Sequence, residues 1–148
     1  MGGVKRTEIL RILDANFNRC REGLRVCEEI TRFVMADELL TRELKKMRHA
    51  VSDCLKKFPV TLAEIVSARD SRGDIGRKPS RLEKGRKSAK EIFLANMERS
   101  KEALRVLEET SKLFDEKISD QLKKIRFRVY SIEKKVIQKL ETLRDHRS

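Results

Sequence analysis

Residues 15–29 read ANFNRCREGLRVCEE, and residues 95–109 read ANMERSKEALRVLEE. Nine of these fifteen positions are identical at an offset of 80. Ala15, Asn16, Arg19, Glu22, Leu24, Arg25, Val26, Glu28 and Glu29 recur as Ala95, Asn96, Arg99, Glu102, Leu104, Arg105, Val106, Glu108 and Glu109. A second echo follows at an offset of 78, where DELLTRELKKMRHAV (37–51) faces DEKISDQLKKIRFRV (115–129). Self-similarity of this kind marks two copies of one supersecondary unit. Each copy reads as a helix–turn–helix hairpin. The expected fold is therefore all-α: a helical bundle of two repeated hairpins related by a pseudo-two-fold, with a short connecting helix and loop.

Hydrophobic spacing supports the helices. Ile9, Ile12, Leu13, Cys20, Leu24, Cys27, Ile30 and Val34 step by three and four residues, the pattern of one buried stripe. Leu39, Leu40, Leu44, Met47, Val51, Cys54 and Leu55 do the same for a second helix, which Pro59 ends. Thr61-x-x-Glu64 and Ser80-x-x-Glu83 fit capping boxes, placing a short helix start near 62 and a long one near 81. The last helix carries Ile118, Leu122, Ile125, Val129, Ile132, Val136 and Leu140. A single helical domain over 1–148 follows, with repeat one at about 8–58 and a connector and loop at 59–80. Repeat two occupies about 81–140, and a tail 141–148.

Composition narrows the function classes. The chain has 36 Lys+Arg against 24 Asp+Glu, a net charge of +12, which points to phosphate-bearing partners without choosing among them. No Trp, one Tyr, six Gly and two Pro argue against a many-turned β-sandwich or a Pro/Gly-rich disordered chain. No stretch approaches the apolar length of a membrane span, and the opening Met-Gly-Gly-Val-Lys-Arg lacks a signal core. The chain reads as cytoplasmic. Cys20, Cys27 and Cys54 lack histidines at ligand spacing and read as buried reduced thiols. Residues 77–90 hold seven basic groups against Glu83 alone, half of the whole charge excess. That run has no interleaved aromatics for base stacking, so nucleic acid is the weaker partner class.

Chemistry can sit in two places. Asn16 falls within the apolar stripe and Arg19 at its edge, and the second copy repeats both as Asn96 and Arg99. Either the two Asn–Arg pairs meet near the axis around a ligand, or each Asn bonds its own backbone and each Arg snorkels. Glu22, Arg25 and Glu29 stand at ion-pair spacing, as do Glu102, Arg105 and Glu109. Arg48 and Arg126 either reach a phosphate or cap a surface. The loop 68–80 is the stronger candidate. Asp70 and Asp74 offer the oxygen ligands that Mg²⁺ takes, and Gly73 and Gly76 permit close backbone approach. Arg69, Arg72, Arg77 and Lys78 supply positive charge, and a helix start near Arg81 would add free N–H groups. A solvated connector is the alternative. Neither GxxxxGK[ST] nor GxGxxG occurs, and no Ser-His-Asp or Cys-His set is visible.

ILDANFNRCREGLRVCEE, KKMRHAV, ARDSRGDIG, LANMERSKEALRVLEE and RFRVYSIEK, in that order from about Ile9 to Lys139, resemble a small family of thiamine biosynthesis. That family is the strictly monofunctional hydroxymethylpyrimidine-phosphate kinase, found alone or fused ahead of thiamine-phosphate synthase. The resemblance implies ATP-dependent phosphorylation of 4-amino-2-methyl-5-(hydroxymethyl)pyrimidine phosphate to the diphosphate, with Mg²⁺ accompanying ATP. With no synthase barrel following, the chain would be a stand-alone member. By motif position, Arg69, Asp70 and Asp74 form the catalytic loop, with Asp70 and Asp74 as metal ligands. Asn16, Arg19, Arg48, Gly73, Gly76, Asn96 and Arg99 are the expected phosphate and substrate contacts. Thiamine-phosphate synthase is a candidate partner, and a homo-oligomer is compatible with the sequence. Two alternatives stand beside the kinase: a basic helical nucleic-acid-binding protein, and a non-catalytic accessory domain of thiamine-phosphate synthase.

Overall fold

Helix α1 (Arg6–Glu29) opens behind Lys5, whose backbone N–H donates to Glu8 Oε2 at 3.0 Å. The computed structural model describes residues 3–70, 72–76 and 88–147, with side chains as far as Thr142. Beyond α1 the chain widens into a π turn over Ile30–Val34, and Ala36 takes a left-handed φ of 51°. Helix α2 (Glu38–Lys56) then starts under an Asp37 cap, the Leu40 N–H donating to Asp37 Oδ1 at 2.9 Å. The π turn lies where the first copy carries two residues more than the second, the place at which the repeat offset falls from 80 to 78. Widening the helix by a residue per turn also turns Val34 outward, so this expected core residue is exposed.

Helix α3 (Leu62–Ser67) has the expected reciprocal box between Thr61 and Glu64. Helix α4 (Ala89–Ser111) begins later than the sequence spacing suggests. Ser88 is extended and its Oγ accepts the Glu91 N–H at 3.1 Å, so the cap that starts this helix is Ser88, not Ser80. The Ser80–Glu83 box and the expected helix start near Arg81 lie outside the described residues. Helix α5 (Glu116–Arg147) continues through most of the residues set apart as a tail.

The four long helices form a ring in which α1 packs on α2 and α4, and α5 packs on α4 and α2. Every neighbouring pair is antiparallel. Glu28 meets Arg48 while Thr31 meets Thr41, and Glu108 meets Arg126 while Lys101 meets Glu133. Glu43 meets Lys135 and Asp37 meets Lys139, which fixes α2 against α5. The apolar stripes close on a core that includes Ile9, Leu13, Phe17, Leu24, Leu44, Val51, Phe93, Leu104, Leu122 and Val136. Each fully buried side chain of this size contributes roughly 1.5–3 kcal/mol. Phe58 sits edge-on between Phe17 and Phe114, at centroid distances of 5.8 and 5.5 Å. Ile12 and Leu39 were expected in the stripes but are exposed, Ile12 because it faces the cavity described below. All three cysteines are buried free thiols, and desolvation pushes the Cys20 thiol up to about 12.

Helices α1 and α4 approach closely at Gly23 and Ser100. Ser100 Oγ donates to the Cys20 carbonyl at 3.1 Å, joining two positions that the repeat makes equivalent. A Cβ on Gly23 would lie 2.3 Å from Ser100 Oγ and 2.7 Å from the Asn96 carbonyl oxygen. The second of these is backbone and cannot swing aside, so the helices must part. Gly23→Ala is expected to lose about 1–3 kcal/mol in urea unfolding, although alanine favours the helix by about 1 kcal/mol.

Asp37 makes stability depend on acid. The Leu40 N–H and the Lys139 ammonium hold its carboxyl below the usual range. A carboxyl depressed in the folded state contributes fully above the unfolded pKa, and that contribution is lost as pH falls through the folded value. Asp37→Asn keeps an acceptor for the cap and removes the titration. Its urea midpoint is expected to fall less steeply than the wild type's between about pH 5 and about pH 2.

Candidate functional site

The loop after α3 is tied to the outer face of α1 by charge. Arg69 Nε and Nη2 donate to Asp14 Oδ2 and Oδ1 at 2.7 and 2.8 Å, a two-pronged pair. Asp14 is mostly buried, and its hydrogen bonds push the Arg69 pKa further above an already high value. Arg11 Nη2 donates to the Asp70 carbonyl at 3.4 Å, one turn before Asp14. Asp14 also accepts from Asn18 Nδ2 at 3.2 Å, and Asn18 Oδ1 from Arg21 Nη2 at 2.9 Å. A polar ridge thus runs along α1 from the loop to Arg21.

The loop folds around its own aspartates. Asp70 Oδ1 accepts the Gly73 N–H at 2.8 Å, and Asp74 Oδ1 accepts the Gly76 N–H at 2.9 Å. A Cβ on Gly73 would lie 2.2 Å from Asp70 Oδ2, so a larger residue there would push that carboxylate from its place against the turn. The two glycines shape the loop, while Arg69, Asp70 and Asp74 line a cavity of about 590 Å³ together with Asn16 and Arg19. Five of the residues expected at the site therefore converge.

A second hollow of about 360 Å³ opens between α1 and α4, lined by Asn16, Arg19, Arg99, Glu102, Ala103 and Val106. It shares Asn16 and Arg19 with the loop cavity. Asn16 is buried and donates from Nδ2 to the Ile12 carbonyl at 2.9 Å, which fixes the amide and leaves Oδ1 and its second N–H for other partners. Asn96 makes the same bond to Ile92 at 2.8 Å but lines neither cavity. Both asparagines thus bond their own helix, and of the two Asn16 is the one that lines these two hollows.

Arg48 stands elsewhere. Its Nε donates to Glu28 Oε2 at 3.0 Å, and Arg25 approaches the same oxygen at 3.6 Å. The second copy repeats the arrangement, with Arg126 Nε donating to Glu108 Oε1 at 3.2 Å and Arg105 Nη1 to Oε2 at 2.7 Å. Glu28 and Glu108 are almost fully buried. The expected ladder therefore exists around Glu28 and Glu29 and omits Glu22 among the pairs described. Sequence spacing passed over Glu28, although its identity at offset 80 and that of Arg48 with Arg126 at 78 carried the signal. Asp14 and Arg11 were also passed over. Their counterparts are Leu94 and Glu91, so a search for repeated residues discards them.

Among the described residues no group of three or more His, Cys, Asp or Glu could hold a metal, and no helix is long and apolar enough to cross a membrane. Part of the loop and most of the basic run, residues 71 and 77–87, lie outside the described residues.

Curated relatives match most of the chain. It is 38 % identical over 141 residues to thiamine-phosphate synthase of Synechocystis sp., covering 91 % of this chain and 39 % of that protein. Thiamine-phosphate synthase of Nostoc punctiforme is 42 % identical over 126 residues, 84 % of this chain and 34 % of its own length. That of Rhodopirellula baltica is 36 % identical over 124 residues, 83 % and 32 % of the two lengths. The chain thus spans between about a third and two-fifths of the length of these relatives. No solved structure matches it significantly. Residues 11–135 match the ThiD2 family. This span is most of the chain and covers most of both hairpins and the segment between them, so the protein belongs to the ThiD2 family.

Proposed function

We propose that this domain transfers the γ-phosphoryl group of ATP to 4-amino-2-methyl-5-(hydroxymethyl)pyrimidine phosphate, within thiamine biosynthesis. The observation that carries the reading is the convergence of Arg69, Asp70 and Asp74 with Asn16 and Arg19 on one cavity. The family and the names of its relatives support the pathway.

The reaction asks little of a base. An oxygen of the acceptor phosphate, already ionised at neutral pH, forms the new bond to the γ phosphorus. The bond from that phosphorus to the β,γ-bridging oxygen breaks, and ADP leaves with the electron pair. Fully ionised ATP (4−) and monophosphate (2−) give ADP (3−) and the pyrimidine diphosphate (3−), so charge balances with no proton to move. What remains is to position two anions and neutralise charge on the transferred group. Arg19 and Arg69 suit that work, Arg69 being oriented by Asp14 through both prongs of its guanidinium. Asp70 and Asp74 each spend one oxygen on a backbone N–H. Two carboxylates facing one cavity suit Mg²⁺, which is commonly held by one or two carboxylates together with nucleotide phosphates. Bound there with ATP, the ion would neutralise phosphate charge.

A second reading rests on length. Because the chain spans two-fifths or less of relatives named thiamine-phosphate synthase, it also fits a non-catalytic accessory domain of such a protein. Incubation with Mg-ATP and either the pyrimidine alcohol or its monophosphate, with no synthase present, separates the two. The kinase reading expects ADP with the monophosphate only. No ADP with either leaves the accessory reading.

A further inference from the structure

The two hollows that meet at Asn16 and Arg19 differ in charge in a way that sorts the two substrates. Among the described residues, the loop cavity is lined by four carboxylates, Glu8, Asp14, Asp70 and Asp74, against three guanidiniums, Arg11, Arg19 and Arg69. A bare polyanion is not attracted to a wall whose formal balance is negative. A triphosphate carrying a divalent cation is, because the carboxylates then have a cation to face. Among the described residues, the hollow between α1 and α4 has the opposite balance, Arg19 and Arg99 against Glu102. It suits a phosphomonoester without metal, held by charge-assisted hydrogen bonds.

We propose that the Arg19–Arg99 hollow binds the phosphate of the acceptor, and that the loop cavity binds the metal-complexed nucleotide, with Asn16 and Arg19 as their common wall. This assignment rests on the kinase reading above and says which substrate lies where. The shared wall matters because transfer needs the two phosphoryl groups side by side. A third hollow of about 570 Å³ holds Arg21, Arg25 and Arg48 with Glu22 and is more cationic still. Among the described residues it shares no lining residue with the loop cavity. Charge alone would favour that hollow, and adjacency selects the one at Arg99.

Arg99 is exposed on α4, so its replacement leaves the core untouched. The test compares wild type, Arg99→Ala and Arg21→Ala by calorimetric titration with the pyrimidine monophosphate alone and with Mg-ATP alone, and by steady-state kinetics. Arg99→Ala is expected to weaken monophosphate binding and raise its KM about tenfold or more, the usual scale for a lost charged hydrogen bond. Mg-ATP binding should stay within about twofold on the same scale, and Arg21→Ala should change neither. If Arg99→Ala weakens Mg-ATP instead, or if Arg21→Ala is the variant that loses the monophosphate, the assignment is overturned. Wild-type protein that binds neither ligand overturns it as well. Monophosphate binding that depends on Arg99 without any ADP formation would support the hollow as a phosphomonoester site and remove the kinase reading, so the two failures are distinct.

Discussion

Asp70→Asn is expected to lower kcat/KM for phosphoryl transfer by about a hundredfold or more, the scale on which removing one preorganised charge-stabilising group acts. Asparagine retains an Oδ1 that can accept the Gly73 N–H, so the turn and the approach of Gly73 persist. The Arg69–Asp14 pair and the Arg11 contact to the Asp70 carbonyl do not involve the altered charge. What disappears is one negative charge facing the cavity. Circular dichroism should report unchanged helix content, because no helix of the bundle includes Asp70. Asp70→Ala removes the turn acceptor too and is expected to abolish activity. Near-normal turnover in either variant would take the loop out of the mechanism.

Arg48→Met is the second large effect, and it falls on stability. Glu28 is almost wholly buried, and Arg48 is its better-buried partner, 21 % exposed against 51 % for Arg25. Removing Arg48 leaves that carboxylate with Arg25 at 3.6 Å and a desolvation cost no longer offset. Urea unfolding should show a loss of about 2–4 kcal/mol, the range for breaking a mostly buried pair. Arg25→Ala should cost less. Replacing both members, as in Glu28→Leu with Arg48→Met, should recover part of the loss, because no charge is then stranded. The equivalent change at Arg126 should behave similarly, since Glu108 repeats the arrangement. A loss near zero for Arg48→Met would mean that Glu28 finds another partner.

The helices were legible because amphipathic spacing and caps are local. Thr61 and Glu64 start α3 as their spacing indicates, and the stripe on α5 is buried from Ile118 to Val136. The cap of α4 was not legible from spacing, because Ser80 and Ser88 each precede a glutamate by three residues and spacing does not rank one above the other. The π turn was hidden for a different reason. Its sequence continues the apolar period, and only the change of offset from 80 to 78 marks the extra residues. At the site, Arg69, Asp70 and Asp74 were visible as a charged loop with glycines, but their anchor was not. Asp14 and Arg11 belong to positions where the copies diverge, so the loop is anchored by residues that the first hairpin does not share with the second. The repeated polar residues divide into two uses. Glu28 and Glu108 hold each hairpin together, while Arg19 and Arg99 come together at one hollow between α1 and α4.

The central claim is that this helical domain alone makes a diphosphate from a pyrimidine monophosphate. Phosphorus NMR of the purified chain with Mg-ATP and the monophosphate tests it most directly. The account predicts that the monophosphate resonance gives way to a pair of coupled diphosphate resonances, with ADP appearing in equal amount. A spectrum in which the monophosphate and ATP persist, under conditions where the protein is folded, would contradict it.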